Sequence, residues 1–159
     1  MKPFPYAIDV KDLLSMLGGT SVTIKPAKQG FQSLKYPAFA GLFTEDGATE
    51  ACATVIADFN ASMSIAGAFM RIPPSAVLED LRSQACGEAV RPAMYEIFNI
   101  ATSLLNATGA THVRLTEMVQ LSAKPAGRLA DLLTKAPQRL ELEACISPCP
   151  AGQLLFARS

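Results

Sequence analysis

The sequence lacks tryptophan and has a single histidine, His112, which limits the chemistry that the chain can carry by itself. No serine lies in a Gly-x-Ser-x-Gly turn, and no glycine-rich phosphate-binding loop occurs. Gly18-Gly19 is too sparse for a dinucleotide fingerprint and follows a predicted helix rather than a strand. We therefore do not expect self-contained hydrolytic chemistry. Any reaction must use a few polar groups of this chain, which act on a partner that brings its own reactive centre.

Long runs of charged or apolar residues are also missing. Fourteen basic residues balance fourteen acidic ones, and no basic run exceeds two residues, so nothing points to nucleic acid or an anionic membrane. No apolar run is long enough to cross a bilayer, and the first residues, with Pro3 and Pro5, lack the apolar segment of a signal peptide. These features predict a cytoplasmic protein that binds neither nucleic acid nor membrane.

Cysteine is sparse and scattered over four positions, of which only Cys145 and Cys149 are close in sequence. A zinc site would need tighter pairs or more ligands. In a cytoplasmic chain, scattered thiols are more typical of small buried hydrophobic residues. The sequence therefore predicts no metal site.

Half of the 159 residues are hydrophobic, which is ample for one core and predicts a single domain over residues 1–159. Residues 1–35 are expected to form an N-terminal helix, a strand and a loop. Alternation and turn signals predict strands over 21–25, 39–44, 49–57, 111–121, 139–146 and 153–157. The helical period predicts helices over 9–17, 60–71, 75–86, 92–106 and 128–135.

This order of elements predicts an α+β fold, with a mostly antiparallel sheet and helices packed on one face. Asp46-Gly47 between two apolar runs predicts a hairpin. Glu117 falls on the apolar side of its strand, which suggests a bulge, an exposed end or a partner.

Ser75 is expected to cap one helix and Thr108-Gly109 to end the next. That next helix either starts afresh near Pro92 or continues through a kink.

The helix predicted near 92–106 has two distinct stripes. Its apolar stripe comprises Ile97, Ile100, Ala101, Leu104 and Leu105. Its polar stripe comprises Glu96, Asn99, Ser103 and Asn106. Glu96 and Asn99 are one turn apart and can therefore contact one partner together. Asparagine is a mediocre helix former, so its repeated use on an outward face is unexpected if that face only meets water. Tyr95 and Phe98 are predicted to flank this face and, with Ser103, to contact a partner.

The stretch Glu96-x-x-Asn99-Ile100 resembles the motif of the CheC/CheX/FliY chemotaxis phosphatases. It stands late in a long helix, after a strand-strand-helix block and before a strand that ends near a proline. The similarity in element order covers roughly Tyr36 to Ala157. The family carries Glu-x-x-Asn once in CheX and twice in CheC, so the single motif is more similar to CheX. Two residues depart from the pattern: Pro92 replaces the Asp or Ser of CheC, and Pro125 follows the motif late.

The resemblance implies a phosphatase that hydrolyses the phospho-aspartate of a CheY-like response regulator. In that role Glu96 would pair with a lysine of the partner, and Asn99 would hold the attacking water. The Mg²⁺ and the phosphoryl group would both belong to the partner, so no cofactor of this chain is implied. The resemblance also suggests a homodimer through sheet edges, and the apolar strand Leu154-Leu155-Phe156 would need covering.

Two other interpretations stay open. One is a non-catalytic module of the same fold, such as a flagellar-switch-like or adaptor domain that docks a receiver, and Pro92 slightly favours it. The other is an unrelated α+β scaffold in which Glu96 and Asn99 only meet water. The discriminating observation is whether both side chains are exposed on a flat or concave surface. If Asn99 is buried and bonded to backbone, the phosphatase hypothesis fails.

Overall fold

The structure, a computed structural model, describes residues 4–18, 21–28, 33–106 and 111–159. Its helices are α1 (Ala7–Gly18), α2 (Phe59–Phe69), α3 (Pro74–Ser83), α4 (Val90–Leu105) and α5 (Gly127–Lys135). Its strands are β1 (Val22–Pro26), β2 (Ala38–Glu45), β3 (Ala51–Ala57), β4 (Val113–Leu121), β5 (Gln138–Ile146) and β6 (Gly152–Arg158). This order confirms the order of helices and strands predicted from sequence.

The described strands form one antiparallel sheet in the order β1-β5-β6-β3-β2-β4. The predicted hairpin joins β2 to β3, and Gly47 adopts φ +82° in its turn, a conformation that glycine reaches without a steric penalty. The pairing of β2 with β4 shifts register between Leu42, opposite Glu117, and Phe43, opposite Leu115. This irregularity is the bulge that the position of Glu117 suggested, and the α+β fold is confirmed.

Helices cover the two faces of the sheet unequally. The larger core lies between the sheet and α1, α2 and α4, while α3 packs on α2 through Val77. The prediction that the helices pack on one face of the sheet is therefore confirmed for α1, α2, α3 and α4. The short helix α5 packs on the opposite face, where Leu129 and Leu133 meet Ile56 and Leu155. This second contact explains why both faces of β3 and β6 are apolar.

The last strand lies inside the sheet. β6 pairs with β3 on one side and β5 on the other, and Leu154, Leu155 and Phe156 are 5%, 2% and 2% exposed. The covering that this apolar strand was expected to need is therefore supplied within one chain, by the neighbouring strands and by helices on both faces of the sheet. A homodimer through the sheet edges, which are β1 and β4, stays a prediction.

The helix starts differ from the expected ones in detail. Ser75 does not cap α3, because Pro73 occupies the cap position and Pro74 is the first helical residue. Proline suits this place, since the first helical N–H has no partner within the helix. Helix α4 starts afresh at Val90, so Pro92 lies in its first turn and introduces no kink. The predicted helix end at Thr108-Gly109 lies outside the described residues, as do Gly19 and 29–32.

A buried carboxylate ties α2 to the sheet. Asp58 is 2% exposed and accepts hydrogen bonds from the backbone N–H groups of Lys35, Ala61 and Gln153, at 3.3, 3.1 and 3.0 Å. It therefore caps α2 and fixes both the segment before β2 and the start of β6. Burial raises the pKa of the Asp58 carboxyl, and the three N–H donors oppose this rise.

A buried cation ties the end of α4 to the sheet. Arg158, 1% exposed, donates from Nη1 to the carbonyl of Leu105 at 2.7 Å and from Nη2 to that of Thr111 at 2.6 Å. Beside it, the Asn106 side chain both donates to the Val113 carbonyl and accepts from the Val113 N–H, each at 2.8 Å. These four bonds fix the C-terminal end of α4 against β4 and β6.

Replacing Asp58 with alanine should lower the free energy of unfolding by about 2–4 kcal/mol, because buried N–H donors lose their acceptor. Urea denaturation measures the loss. Asp131→Ala is the matched control, since Asp131 is exposed and its carboxylate pairs, within the described ranges, with Lys135 alone, at 3.4 Å in α5. That change should cost less than about 1 kcal/mol. Equal losses in the two variants would contradict the role given to Asp58.

Candidate functional site

Helix α4 presents one buried and one exposed side. It packs against α1, α2, β2 and β4. Its buried residues are Val90, Ala93, Met94, Ile97, Phe98, Ala101 and Leu105. Their spacing follows the helical period, so the opposite side of the helix faces away from the core. That opposite side carries the predicted site.

Glu96 and Asn99 are both exposed on this outer side, one helical turn apart. Neither side chain makes a hydrogen bond or an ion pair with the part of the chain that the structure describes. Asn99 is therefore not a core residue bonded to backbone, which was the condition under which the phosphatase hypothesis fails. The carboxylate and the amide are free to bind a group from outside.

Phe98 corrects the predicted site. It is 1% exposed and lies in the main core, where a Cβ at Gly41 would come within 3.1 Å of its Cγ. A partner cannot reach this ring, so the prediction that Phe98 contacts a partner is wrong. Its spacing of four residues from Met94 and seven from Leu105 places it on the buried stripe, which is wider than the sequence analysis assumed.

The other predicted residues lie on the surface, on two sides of the Glu96–Asn99 pair. Tyr95 is 44% exposed and lines a shallow depression with Arg91, Pro92 and Met118 of β4. Ser103 is exposed, and its hydroxyl donates to the Ile100 carbonyl at 2.9 Å. Ser103 also borders a groove between α4 and α1, lined in addition by Asp9, Asp12, Leu13, Met16 and Leu104. The pair thus stands between two depressions.

Helix α1 supplies surface that the sequence analysis missed. The large hydrophobic residues that are exposed within the described ranges are Tyr6, Ile8, Met16 and Tyr95. They all lie in α1, directly before it, or in α4. Ile8, Asp12 and Met16 follow a spacing of four residues and therefore share one stripe of α1. The sequence offered one signal for this surface: α1 has more apolar residues than its buried face needs. Exposed apolar surface of this kind is typical of binding interfaces.

The remaining reactive side chains do not join this site. His112 and Arg114 pair with Asp46, through Nδ1 at 3.1 Å and Nη1 at 3.2 Å, at the tip of the β2–β3 hairpin. Burial raises the pKa of the Cys52 and Cys149 thiols, which lowers their reactivity.

Over the described ranges, no three His, Cys, Asp or Glu side chains cluster as metal ligands. Within the same ranges, no helix has the length and apolar character needed to span a membrane.

No protein-family model matches the sequence, and neither does any curated protein. Solved structures are similar in fold. A chain of the FliM–SpeE complex from H. pylori has a TM-score of 0.64 at 11% identity, over 96% of this chain and 80% of that one. CheX from Vibrio vulnificus has a TM-score of 0.56 at 15% identity, over 98% and 94%.

A chain of the CheX–CheY–BeF3–Mg²⁺ complex from Borrelia burgdorferi is also similar, with a TM-score of 0.52 at 11% identity, over 93% of this chain and 92% of that one. The chain therefore has the fold shared by CheX, FliY and the FliM middle domain. The fold implied by the Glu96-x-x-Asn99 motif is confirmed.

Asn99 and Asn106 allow the stability effect of an exposed asparagine to be compared with that of one bonded to backbone. Asn99→Ala and Glu96→Ala should each change the free energy of unfolding by less than about 0.5 kcal/mol, because both side chains point outward without partners. Asn106→Ala should cost about 1–3 kcal/mol, because it leaves the N–H and C=O of Val113 without their side-chain partner. Thermal and urea unfolding measure all three. A loss at Asn99 as large as that at Asn106 would place Asn99 in the structural core.

Proposed function

We propose that α4 docks this protein on a phosphorylated CheY-like receiver domain and accelerates hydrolysis of its phospho-aspartate, as in CheX. The observation that carries the proposal is the exposure of Glu96 and Asn99, one turn apart and without a partner among the described residues, on a fold that CheX shares. A protein of this fold that occurs in a complex with CheY supports the choice of partner. A receiver partner also implies a cytoplasmic location.

Glu96 is proposed to fix the docking geometry. Its carboxylate stands on a rigid helix and can form a charge-assisted hydrogen bond with a lysine of the receiver. The depression beside Tyr95 and the groove beside Ser103 add contact surface on both sides of it. Tyrosine is enriched at binding interfaces because its ring supplies area at low entropic cost. Docking would thus use a charged contact at the centre and apolar contacts around it.

Asn99 is proposed to position the attacking water. An amide oxygen accepts a hydrogen bond from the water, and the amide NH₂ donates to a phosphoryl oxygen. The water oxygen forms a bond to phosphorus while the bond between phosphorus and the aspartyl oxygen breaks. The products are the aspartate carboxylate and inorganic phosphate, and one water proton leaves to solvent. Such phosphoryl transfer depends on positioning and charge stabilisation rather than on a base.

The receiver would hold the phosphoryl group and a Mg²⁺ that neutralises its charge, so this chain needs no cofactor of its own. The contribution of this chain would be the fixed position of the Asn99 amide. Because α4 is fixed at its C-terminal end by Arg158 and Asn106, the amide of Asn99 can be presented without reordering the helix.

A second candidate is docking without hydrolysis. The likeness to the FliM middle domain supports it, and so does Pro92, which is exposed in the first turn of α4 where the CheC pattern has Asp or Ser. Proline offers no side-chain hydrogen bond at this position. Binding and hydrolysis must therefore be measured separately.

A dephosphorylation assay with receiver domains labelled at the aspartate separates the two candidates. Asn99→Ala should slow hydrolysis by about 10²–10³-fold, because the lost contact forms chiefly in the transition state. Its affinity for the receiver, held in the phosphorylated form by a fluoroberyllate analogue, should stay within about threefold. Glu96→Ala should instead weaken that affinity by about tenfold, because a charge-assisted contact is lost.

Asp131→Ala is the control, since Asp131 is exposed on α5, which packs on the opposite face of the sheet from α4. Its hydrolysis rate should stay within about twofold of the parent. A parent protein that binds the receiver without accelerating hydrolysis would establish the docking function instead. No binding to any receiver of the host would leave Glu96 and Asn99 as surface residues of a domain that shares this fold without binding a receiver.

A further inference from the structure

A cavity of about 370 Å³ lies apart from the α4 face, and none of its lining residues belongs to α4. It is enclosed by the ends of α1 and α2, the start of α3 and the turn between β5 and β6. Its floor is buried and comprises Ser64, Val77, Ile146 and Cys149. Its volume falls within the range of pockets that hold small molecules in proteins.

The walls of this cavity are rigid. Pro73 and Pro74 stand at the start of α3, and Pro148 stands opposite them in the turn after β5. Proline restricts the backbone, so these walls lose little freedom when a ligand binds. Helix α3 is also held tightly on α2, because a Cβ at Gly67 would lie 2.6 Å from Cγ2 of Val77. The cavity is therefore formed before any ligand enters.

Arg71 stands at the rim in an unfavourable backbone conformation. Its φ of +58° lies in the left-handed region, at the position after the α2 cap where glycine is usual. The N–H of Arg71 binds the Ala68 carbonyl at 3.1 Å, and that of Ile72 binds the Gly67 carbonyl at 2.9 Å. The turn thus imposes this conformation, and glycine would fit it with less strain than arginine.

The Arg71 side chain gains nothing from the surrounding protein that would offset this strain. It is exposed, and its guanidinium makes no ion pair or hydrogen bond with the residues that the structure describes. No aspartate or glutamate is among the lining residues. An unpaired cation in a strained conformation, at the mouth of a largely apolar cavity, suits a ligand that carries one negative charge.

We propose that this cavity binds a small organic carboxylate, with its hydrocarbon part on Val77 and Ile146 and its carboxylate on the Arg71 guanidinium. The Ser64 hydroxyl on the floor donates to the Asn60 carbonyl, so it needs no hydrogen bond from the ligand and takes no part in holding the carboxylate. The apolar walls reject a strongly hydrated polyanion, because its desolvation would not be compensated. The site is independent of the phosphatase proposal and shares no residue with it.

Benzoate and its neutral analogue benzyl alcohol are the two probes. In nuclear magnetic resonance titrations of the full chain, benzoate should shift the amides of Arg71, Val77 and Cys149 saturably, while the amide of Asn99 stays unshifted. Benzyl alcohol should bind about tenfold more weakly, because it lacks the charge-assisted contact.

Arg71→Gln should weaken benzoate binding by about tenfold and leave benzyl alcohol binding unchanged, which a purely structural effect would not do. Arg82→Gln is the control, since Arg82 is an exposed arginine of α3 that pairs with Glu79 away from the cavity. It should bind both probes like the parent. Unsaturable shifts, equal affinity for the two probes, or undiminished benzoate binding by Arg71→Gln would each overturn the proposal.

Discussion

The placement of α4 depends on the guanidinium of Arg158. This cation is almost fully buried, and no carboxylate among the described residues pairs with it. It is compensated instead by the carbonyls of Leu105 and Thr111. The last carbonyls of a helix lack intrahelical donors and carry the negative end of the helix dipole, so a cation is favoured there. One side chain of β6 therefore helps to hold the C-terminal end of α4 against the sheet.

The same helix region uses one residue type for two opposite purposes. Both polar atoms of the Asn106 amide form hydrogen bonds with the backbone of Val113, whereas both polar atoms of the Asn99 amide are available to a ligand. A positioning amide is effective only when its backbone is immobile, because misplacement raises the barrier steeply. The structural asparagine and the proposed catalytic one are thus linked: the bonds made by the first hold the helix that presents the second.

Much of the fold could be predicted because burial follows periodicity within each element. The hairpin at Asp46-Gly47, the irregularity near Glu117 and the outward direction of Glu96 and Asn99 all depend on local spacing. The order of the strands in the sheet does not depend on local spacing, so the sequence could not show that β6 lies between β3 and β5. Phe98 was misplaced because a helix packed on several neighbours buries a wider stripe than its strongest apolar positions indicate. Asp58 binds Lys35 and Gln153 as well as the nearby Ala61, and Arg158 binds Leu105 and Thr111, so no short window contains all of their partners.

The strand order also has a consequence for how the protein is made. β6 joins the β1-β5 pair to the β3-β2-β4 unit, yet it is the last of the six strands to be synthesised. Until it leaves the ribosome, β3 and β5 each have an open apolar edge, and edges of this kind favour pairing with other chains. Contacts so distant in sequence form slowly. The sheet can therefore close only after β6 has been made, and until then its two open edges favour aggregation.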